Sequence, residues 1–232
     1  MVRIAHDPDL IADGSAGHDG VVDQVREMED GTYRYVVASI HDADVDTVPG
    51  IYRQDQLVTT HPISGQVADT DQTFLNFDGI TYGKGASVLK QLVKALGMEG
   101  FRAGMRHYFA THAYGNATLS QFLASLETGS GADLKEWTRL WLETPSLNTI
   151  GTRWEADGER ITQFTLTQTA PDEYPTIRPH KVDIGLVRDE GDRLEVTVVP
   201  ASIDRAEADV LEARGLPKPA LVFPNYGDHG YT

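Results

Sequence analysis

Tyr82 is the side chain whose residue type and setting favour chemistry most clearly in this sequence. Gly83 follows it directly and Gly85 lies three residues further on. Glycines carry no side chain, so they leave a neighbouring hydroxyl group and the local backbone accessible. A phenol has an ordinary pKa of about 10, stays protonated near neutral pH, and can donate a hydrogen bond. We therefore interpret Tyr82 as a candidate hydrogen-bond donor to a ligand.

The residues after Tyr82 are predicted to form a helix, because apolar side chains recur at the spacing of one helical face. Gly97 is expected to end that helix, and a second helix is predicted over residues 98–112. A third begins at Thr118, which forms a capping-box pattern with Gln121. A fourth runs from Asp133 to a stop at Pro145. The four helices of residues 78–144 are expected to pack as one lobe around Leu89, Leu92, Phe101, Phe109, Phe122, Leu126, Trp137 and Trp141.

From Gly151 onward the pattern changes to the alternation that is typical of strands. Strands are predicted at residues 161–167, 182–187, 193–199 and 220–223, with the turn spacing of a β-sandwich. Near the beginning, residues 32–40 have the content of a single strand, residues 51–76 are expected to be an extended connector, and Asp42 to Asp46 are interpreted as a solvated acidic turn. The predicted fold class is α+β, a helical lobe followed by an antiparallel β-sandwich.

The histidines give little support for a metal site within these residues. The sequence has no cysteine, so any metal would need histidine and carboxylate ligands. Its eight histidines include no pair four residues apart and no His-Glu-x-x-His motif. His107 and His112 are five residues apart, about 140° around a helix, whereas ligand pairs favour i, i+4. We interpret both as ordinary surface or core-edge histidines.

Composition excludes several classes of partner. The chain has 232 residues, a formal net charge of −15 and a pI near 4.8, so repulsion from phosphates opposes binding to nucleic acid or to an anionic membrane surface. No apolar run is long enough for a membrane span, and the first 30 residues do not read as a signal peptide. We therefore expect a soluble, cytoplasmic protein that binds neither nucleic acid nor membranes.

Residues 77–89 read Phe-Asp-x-Ile-x-Tyr-x-Lys-Gly-Ala-Ser-Val-Leu, which resembles the tyrosine helix of the aminopeptidase N family of zinc metallopeptidases, the gluzincin aminopeptidases. The resemblance covers residues 51 to about 150 most specifically, is greatest to actinobacterial members, and weakens toward the end of the chain. Residues 1–50 match nothing in the family. The other matching stretches are 52–57, 60–63, 101–108, 115–119, 130–134 and 141–144.

The resemblance implies that Tyr82 donates a hydrogen bond to the oxyanion that forms during peptide hydrolysis. In the family a zinc ion is held by His-Glu-x-x-His and a glutamate on the next helix, and the glutamate of the motif is the general base. Those ligands, that base and the Gly-Ala-Met-Glu-Asn motif that grips the substrate's amino terminus are absent here. The chain alone is therefore expected to be inactive. The resemblance assigns residues 51–148 to the helical lobe and 149–232 to a β-sandwich that lacks its last strand, a gap expected to promote aggregation through an unpaired edge. Residues 1–50 stay unassigned.

Three interpretations remain open. In the first, the chain is part of a zinc aminopeptidase acting on peptide substrates, either truncated or complemented by a separately encoded N-terminal half. In the second, it is a non-catalytic protein-interaction module derived from the same family. In the third, it is an unrelated enzyme that uses Tyr82 and Lys84 as an acid/base pair, which is weakly supported because neither side chain has an evident partner in the sequence.

Overall fold

The computed structural model describes residues 20–27, 33–39, 47–65, 78–191 and 193–232. Strands β1 (Gly20–Glu27) and β2 (Tyr33–Ser39) pair antiparallel, and helix α1 (Thr47–Gln54) follows. Strand β2 confirms the strand predicted at 32–40, whereas β1 was not predicted. The extended connector predicted over 51–76 is wrong at its beginning, because residues 51–54 belong to α1. The acidic turn from Asp42 to Asp46 lies outside the described residues.

The helical lobe begins with a short π-helical segment, the π turn (Ile80–Lys84). Four helices follow, α2 (Gly85–Leu96), α3 (Met98–His112), α4 (Leu119–Ser130) and α5 (Lys135–Leu142). The π turn runs directly into α2. Gly97 separates α2 from α3 with a φ of 76°, a left-handed value that suits a residue without Cβ. The predicted capping box is present at the start of α4, where the Thr118 hydroxyl accepts from the Gln121 backbone N–H.

The core of the lobe confirms most of the predicted residues and corrects two of them. The buried face of α2 carries Val88, Gln91 and Leu92. Leu89 lies about 100° around the helix from Val88 and is 43% exposed, so its predicted core position is wrong. Phe109 is also wrong, since it is 63% exposed on α3. Of the other predicted core residues, Leu92, Leu126 and Trp141 are fully buried, and Phe101, Phe122 and Trp137 are partly buried.

The second part of the chain contains six strands, β3 (Thr149–Asp157), β4 (Arg160–Thr169), β5 (His180–Asp189), β6 (Leu194–Ile203), β7 (Glu207–Asp209) and β8 (Leu221–Tyr226). They form two antiparallel sheets with the strand orders β3-β4-β7 and β6-β5-β8. The predicted strands correspond to β4, β5, β6 and β8, whereas β3 and the short β7 were not predicted. In the core between the sheets, Ile161, Phe164 and Leu166 of β4 pack against Ile184 and Leu186 of β5.

The fold is thus α+β, a helical lobe followed by an antiparallel β-sandwich, as predicted. The residues after β8 turn back onto the lobe, where the Tyr231 backbone N–H donates to Gln91 Oε1 at 3.0 Å. The absence of a last sandwich strand stays a prediction. Within the described ranges no helix is long and apolar enough to cross a membrane.

Candidate functional site

Tyr82 occupies the middle of the π turn and is 59% exposed. Gly83 beside it is required for packing, since a Cβ at that position would lie 2.0 Å from Cδ1 of Ile51 in α1. A Cβ at Gly85 would meet only Cγ2 of Ile63, at 3.9 Å. Gly83 therefore lets α1 approach the π turn closely from one side, while the Tyr82 side chain is accessible on another.

The N-terminal end of the π turn is held by the Asp78 carboxylate. Asp78 Oδ1 accepts from the backbone N–H of Thr81 at 2.9 Å, and Oδ2 lies 2.8 Å from His61 Nε2 and 3.2 Å from Gln54 Nε2. Burial opposes ionisation of Asp78, but these hydrogen bonds outweigh it and lower the pKa of the carboxyl group. Asp78 thereby ties the π turn to α1 and to the segment that follows α1.

His61 faces an acceptor at each of its two ring nitrogens, which favours the protonated ring. Its Nε2 faces Asp78 Oδ2, and its Nδ1 lies 2.9 Å from the Pro62 carbonyl oxygen. A carbonyl and a carboxylate only accept, so just the doubly protonated ring donates to both. Partial burial lowers the pKa of His61, but the bonds to Asp78 and Pro62 prevail and raise it above its ordinary value. His61 therefore links the Asp78 carboxylate to the segment after α1, and this contact favours its protonated form.

Lys84, two residues after Tyr82, is fully buried and ion-paired. Its Nζ lies 3.0 Å from Asp55 Oδ2 and donates to the Ser146 carbonyl oxygen at 2.8 Å. Asp55 is equally buried and also accepts from Thr60 Oγ1 at 2.6 Å and from the Ser146 N–H at 3.2 Å. The idea that Tyr82 and Lys84 form an acid/base pair is therefore wrong, because Lys84 has its own partners inside the protein while Tyr82 is exposed.

Arg178 holds the opposite side of the loop between α5 and β3. It donates to the carbonyl oxygens of Leu140 and Pro145, at 2.8 and 2.6 Å, and to Thr144 Oγ1 at 2.7 Å. Its guanidinium carbon lies 5.5 Å from the Trp141 ring. Burial lowers the pKa of Arg178 to about 10, which leaves it charged at neutral pH. Arg178 thus connects the sandwich to the loop after α5, and Lys84 of the π turn binds the same loop at Ser146.

His180, the first residue of β5, is buried as a neutral ring at the same junction. Its Nε2 lies 3.4 Å from Asn148 Oδ1, and its ring packs edge-on against Trp141 at 5.0 Å. Burial first, and the nearby Arg178 charge second, lower the pKa of His180 to about 3. The junction therefore becomes costly to maintain when the solution is acidic.

Two stacked tyrosines close the junction from the C-terminal side. The rings of Tyr52 and Tyr231 lie 4.9 Å apart, and Lys84 Nζ lies 5.7 Å from the Tyr231 ring centroid. Burial raises the pKa of both phenols well above the ordinary value. The sequence did not predict Asp55 or Tyr231 as site residues, because their partners are distant in the chain. Asp55 contacts Lys84 and Ser146, 29 and 91 residues away, and Tyr231 contacts Gln91, 140 residues away.

An apolar stripe continues from Tyr82 along the outside of α2. Ala86 and Leu89 lie four and seven residues after Tyr82 and are both exposed, Leu89 by 43%. That spacing places the three side chains on one face of the helix. Residues 78–191 and 193–232, together with the shorter described stretches, contain no group of three His, Cys, Asp or Glu that could hold a metal ion. The described side chains therefore do not fit a zinc site.

The family model for the Peptidase family M1 domain matches residues 25–141, half of the chain. The chain therefore belongs to Peptidase family M1. The match contains the π turn, helices α2 to α4, and all of α5 except its last residue. It also includes residues 25–50, so the expectation that residues 1–50 match nothing in the family is wrong for that part.

Two of the similar proteins are named as aminopeptidases. Aminopeptidase N of Streptomyces lividans is 44% identical over 197 residues, which cover 78% of this chain and 22% of that protein. Probable aminopeptidase 2 of Sulfurisphaera tokodaii is 44% identical over 93 residues, which cover 40% of this chain and 12% of that protein. The chain thus spans about a fifth or less of the length of these relatives.

A solved structure, Legionella pneumophila aminopeptidase A in complex with aspartic acid, aligns with a TM-score of 0.47 and 19% identity. The alignment covers 65% of this chain and 16% of that one.

Proposed function

We propose that this chain supplies the helical lobe and the oxyanion-stabilising tyrosine of a zinc aminopeptidase. The observation that carries the proposal is the position of Tyr82, which is exposed on a π turn held at both ends, within the part of the chain that matches Peptidase family M1. When a peptide carbonyl is attacked by water, its oxygen becomes negatively charged. A fixed phenol O–H that donates to that oxygen lowers the barrier, because it stabilises charge that is present only in the transition state.

The zinc ion and the general base come, in this proposal, from outside the 232 residues. The sequence contains no His-Glu-x-x-His, and the described residues offer no metal-ligand cluster. In the intact enzyme zinc supplies the activated water for peptide hydrolysis. The stripe formed by Tyr82, Ala86 and Leu89 is the surface that we expect the zinc-bearing half to cover, since an apolar row on a helix is stabilised by burial.

This proposal predicts that the chain alone neither binds zinc nor hydrolyses peptides. The test is metal analysis and turnover of aminoacyl chromogenic substrates, first on the purified chain and then on a fusion that places the upstream part of the Streptomyces lividans aminopeptidase N before it. We expect less than one tenth of a zinc ion per chain and no turnover for the chain alone, and about one zinc ion with turnover for the fusion.

Two results would count against the proposal. About one zinc ion retained per isolated chain after dialysis would show that the ligands lie within these residues. A folded fusion that binds zinc but hydrolyses nothing would favour the alternative, a non-catalytic interaction module. The cytoplasmic location expected from the sequence stays a prediction.

A further inference from the structure

The π turn that carries Tyr82 is fastened at its C-terminal end by a buried charge. π-Helical turns are rare and are frequent at functional sites. This one ends at Lys84, whose side chain is 0% exposed and whose Nζ reaches both Asp55 and the Ser146 carbonyl oxygen. Removing an ammonium group from water is costly, so a buried pair of this kind is weak evidence for a gain in stability.

We propose that Lys84 is the positioning residue for Tyr82: held between the Asp55 carboxylate and the Ser146 carbonyl group, it fixes the π turn so that the Tyr82 hydroxyl has one orientation. The inference rests on the proposed function of Tyr82. Lys84 takes no chemical step itself, because its Nζ is enclosed in the protein.

The three segments that meet at Lys84 make the fastening specific. Asp55 follows α1, which packs against Gly83 of the π turn through Ile51. Ser146 lies in the loop after α5 and has a φ of 67°, a left-handed value that is unfavourable for a residue with a side chain. Its carbonyl accepts from Lys84 and its N–H donates to Asp55, so both of its backbone groups are committed to this pair.

The stability argument alone does not explain such a pair. Replacing both members of a buried ion pair by uncharged groups of similar volume is often neutral for folding, whereas removing one member leaves a costly buried charge. A variant without either charge therefore separates the two roles. If the pair serves only folding, that variant behaves like the wild type; if it positions Tyr82, the protein folds but Tyr82 loses its single orientation.

The surroundings of Lys84 also make its ion pair with Asp55 dependent on pH. The charged and titratable groups that face it are Asp55 after α1, Arg178 from the sandwich, and Tyr231, which stacks on Tyr52 of α1. Burial, together with Arg178, outweighs the attraction of Asp55 and lowers the pKa of Lys84 to about 8. Deprotonation removes the positive charge of Lys84 and so weakens its attraction to Asp55. The conformation of the π turn should therefore become less well defined between pH 7 and 9.

The test uses NMR of the full chain labelled with [ζ-¹³C]tyrosine, a label that leaves the acidity of the phenol unchanged. The chain has nine tyrosines, and the Tyr82 signal is assigned as the one lost in Tyr82→Phe. In the wild type we expect one narrow Tyr82 signal that shifts with a midpoint near pH 8. The variants are Lys84→Met, the uncharged Lys84→Met/Asp55→Asn, and Leu126→Ala, which weakens the lobe core in α4 without touching the π turn.

We expect both Lys84 variants to lose the pH step and to give a Tyr82 signal at least twofold broader, while Leu126→Ala keeps the wild-type signal. His61→Gln should retain the step, because His61 acts at the other end of the turn. The wild-type titration needs no variant, so a signal that is flat between pH 7 and 9 overturns the inference even if Lys84→Met does not fold. A folded double variant with a wild-type Tyr82 signal, or equal broadening in Leu126→Ala, overturns it as well. None of these readouts involves metal or turnover, so they are independent of the test of the proposed function.

Discussion

Acidification from pH 7 to pH 5 should weaken the fold through His180. The ring is buried and neutral, and its pKa is lowered to about 3 against 6.5 in the unfolded chain. The unfolded state therefore binds more protons below pH 6.5, and the stability due to neutral His180 is lost as the pH falls from 6.5 toward 3.

The magnitude follows from the two pKa values. At pH 5 the unfolded ring is almost fully protonated and the folded ring almost fully neutral, which lowers the free energy of unfolding by about 2 kcal/mol relative to pH 7. A folded pKa one unit higher would change this value by less than ~0.1 kcal/mol, because the ring would still be neutral at pH 5. The predicted loss thus depends mainly on the ordinary pKa of the unfolded histidine.

The assay is urea denaturation followed by tryptophan fluorescence, since Trp141 packs against the His180 ring. His180→Gln is the matched control: it keeps an N–H donor for Asn148 and cannot titrate. We expect the wild type to lose about 2 kcal/mol more than this variant between pH 7 and pH 5. Equal losses in the two proteins would refute the reasoning, because His180 would then be exposed or already charged in the folded state.

Three further predictions concern packing and charge. Leu126→Ala should lower the free energy of unfolding by about 2–5 kcal/mol because Leu126 is fully buried. The same change at exposed Leu89 should lower it by less than ~0.5 kcal/mol. Comparable losses in chemical denaturation would mean that the assigned helix faces are wrong. Gly129→Ala places a Cβ 2.0 Å from the backbone nitrogen of Gly104 and should cost about 1–3 kcal/mol or more, with Gly115→Ala, which meets nothing closer than 3.6 Å, as the near-neutral control. Because the pKa of His61 is raised in the folded state, its protonated ring stabilises the fold at low pH, and this stabilisation is lost as the pH rises through that pKa. The melting temperature of His61→Gln should therefore lie further below that of the wild type at pH 6 than at pH 8.5. An equal difference at both pH values would argue against a protonated His61.

The helices and most strands were predictable because their signals are local. The capping box at Thr118, the glycine stop at Gly97 and the alternation in β4 and β5 each depend on residues a few positions apart. Leu89 was misplaced because α2 is apolar around much of its circumference. Periodicity then finds the helix but does not decide which side faces the core.

Tyr82 is the residue of the candidate site that the sequence singled out, and its role stays a prediction. Its role came from a resemblance in the surrounding motif, whereas the residues that hold its segment are joined by contacts across the chain. Asp55 and Ser146 are 91 residues apart, and Arg178 lies 34 residues from its partner Thr144. A buried ion pair of this kind has no characteristic spacing in the sequence. The sequence therefore raised Lys84 only as a weakly supported acid/base partner of Tyr82, and its true partner, Asp55, became evident only in the fold.

The most direct test of the central claim is the turnover of Tyr82→Phe in the fused aminopeptidase. The substitution removes one hydroxyl group and little volume, so folding and substrate binding should barely change. If the hydroxyl donates to the oxyanion only as it forms, kcat should fall by roughly 10² to 10³, about 2.7–4 kcal/mol of transition-state stabilisation, with a much smaller change in KM. A fused enzyme that keeps its full kcat with phenylalanine at position 82 would contradict the role assigned to Tyr82.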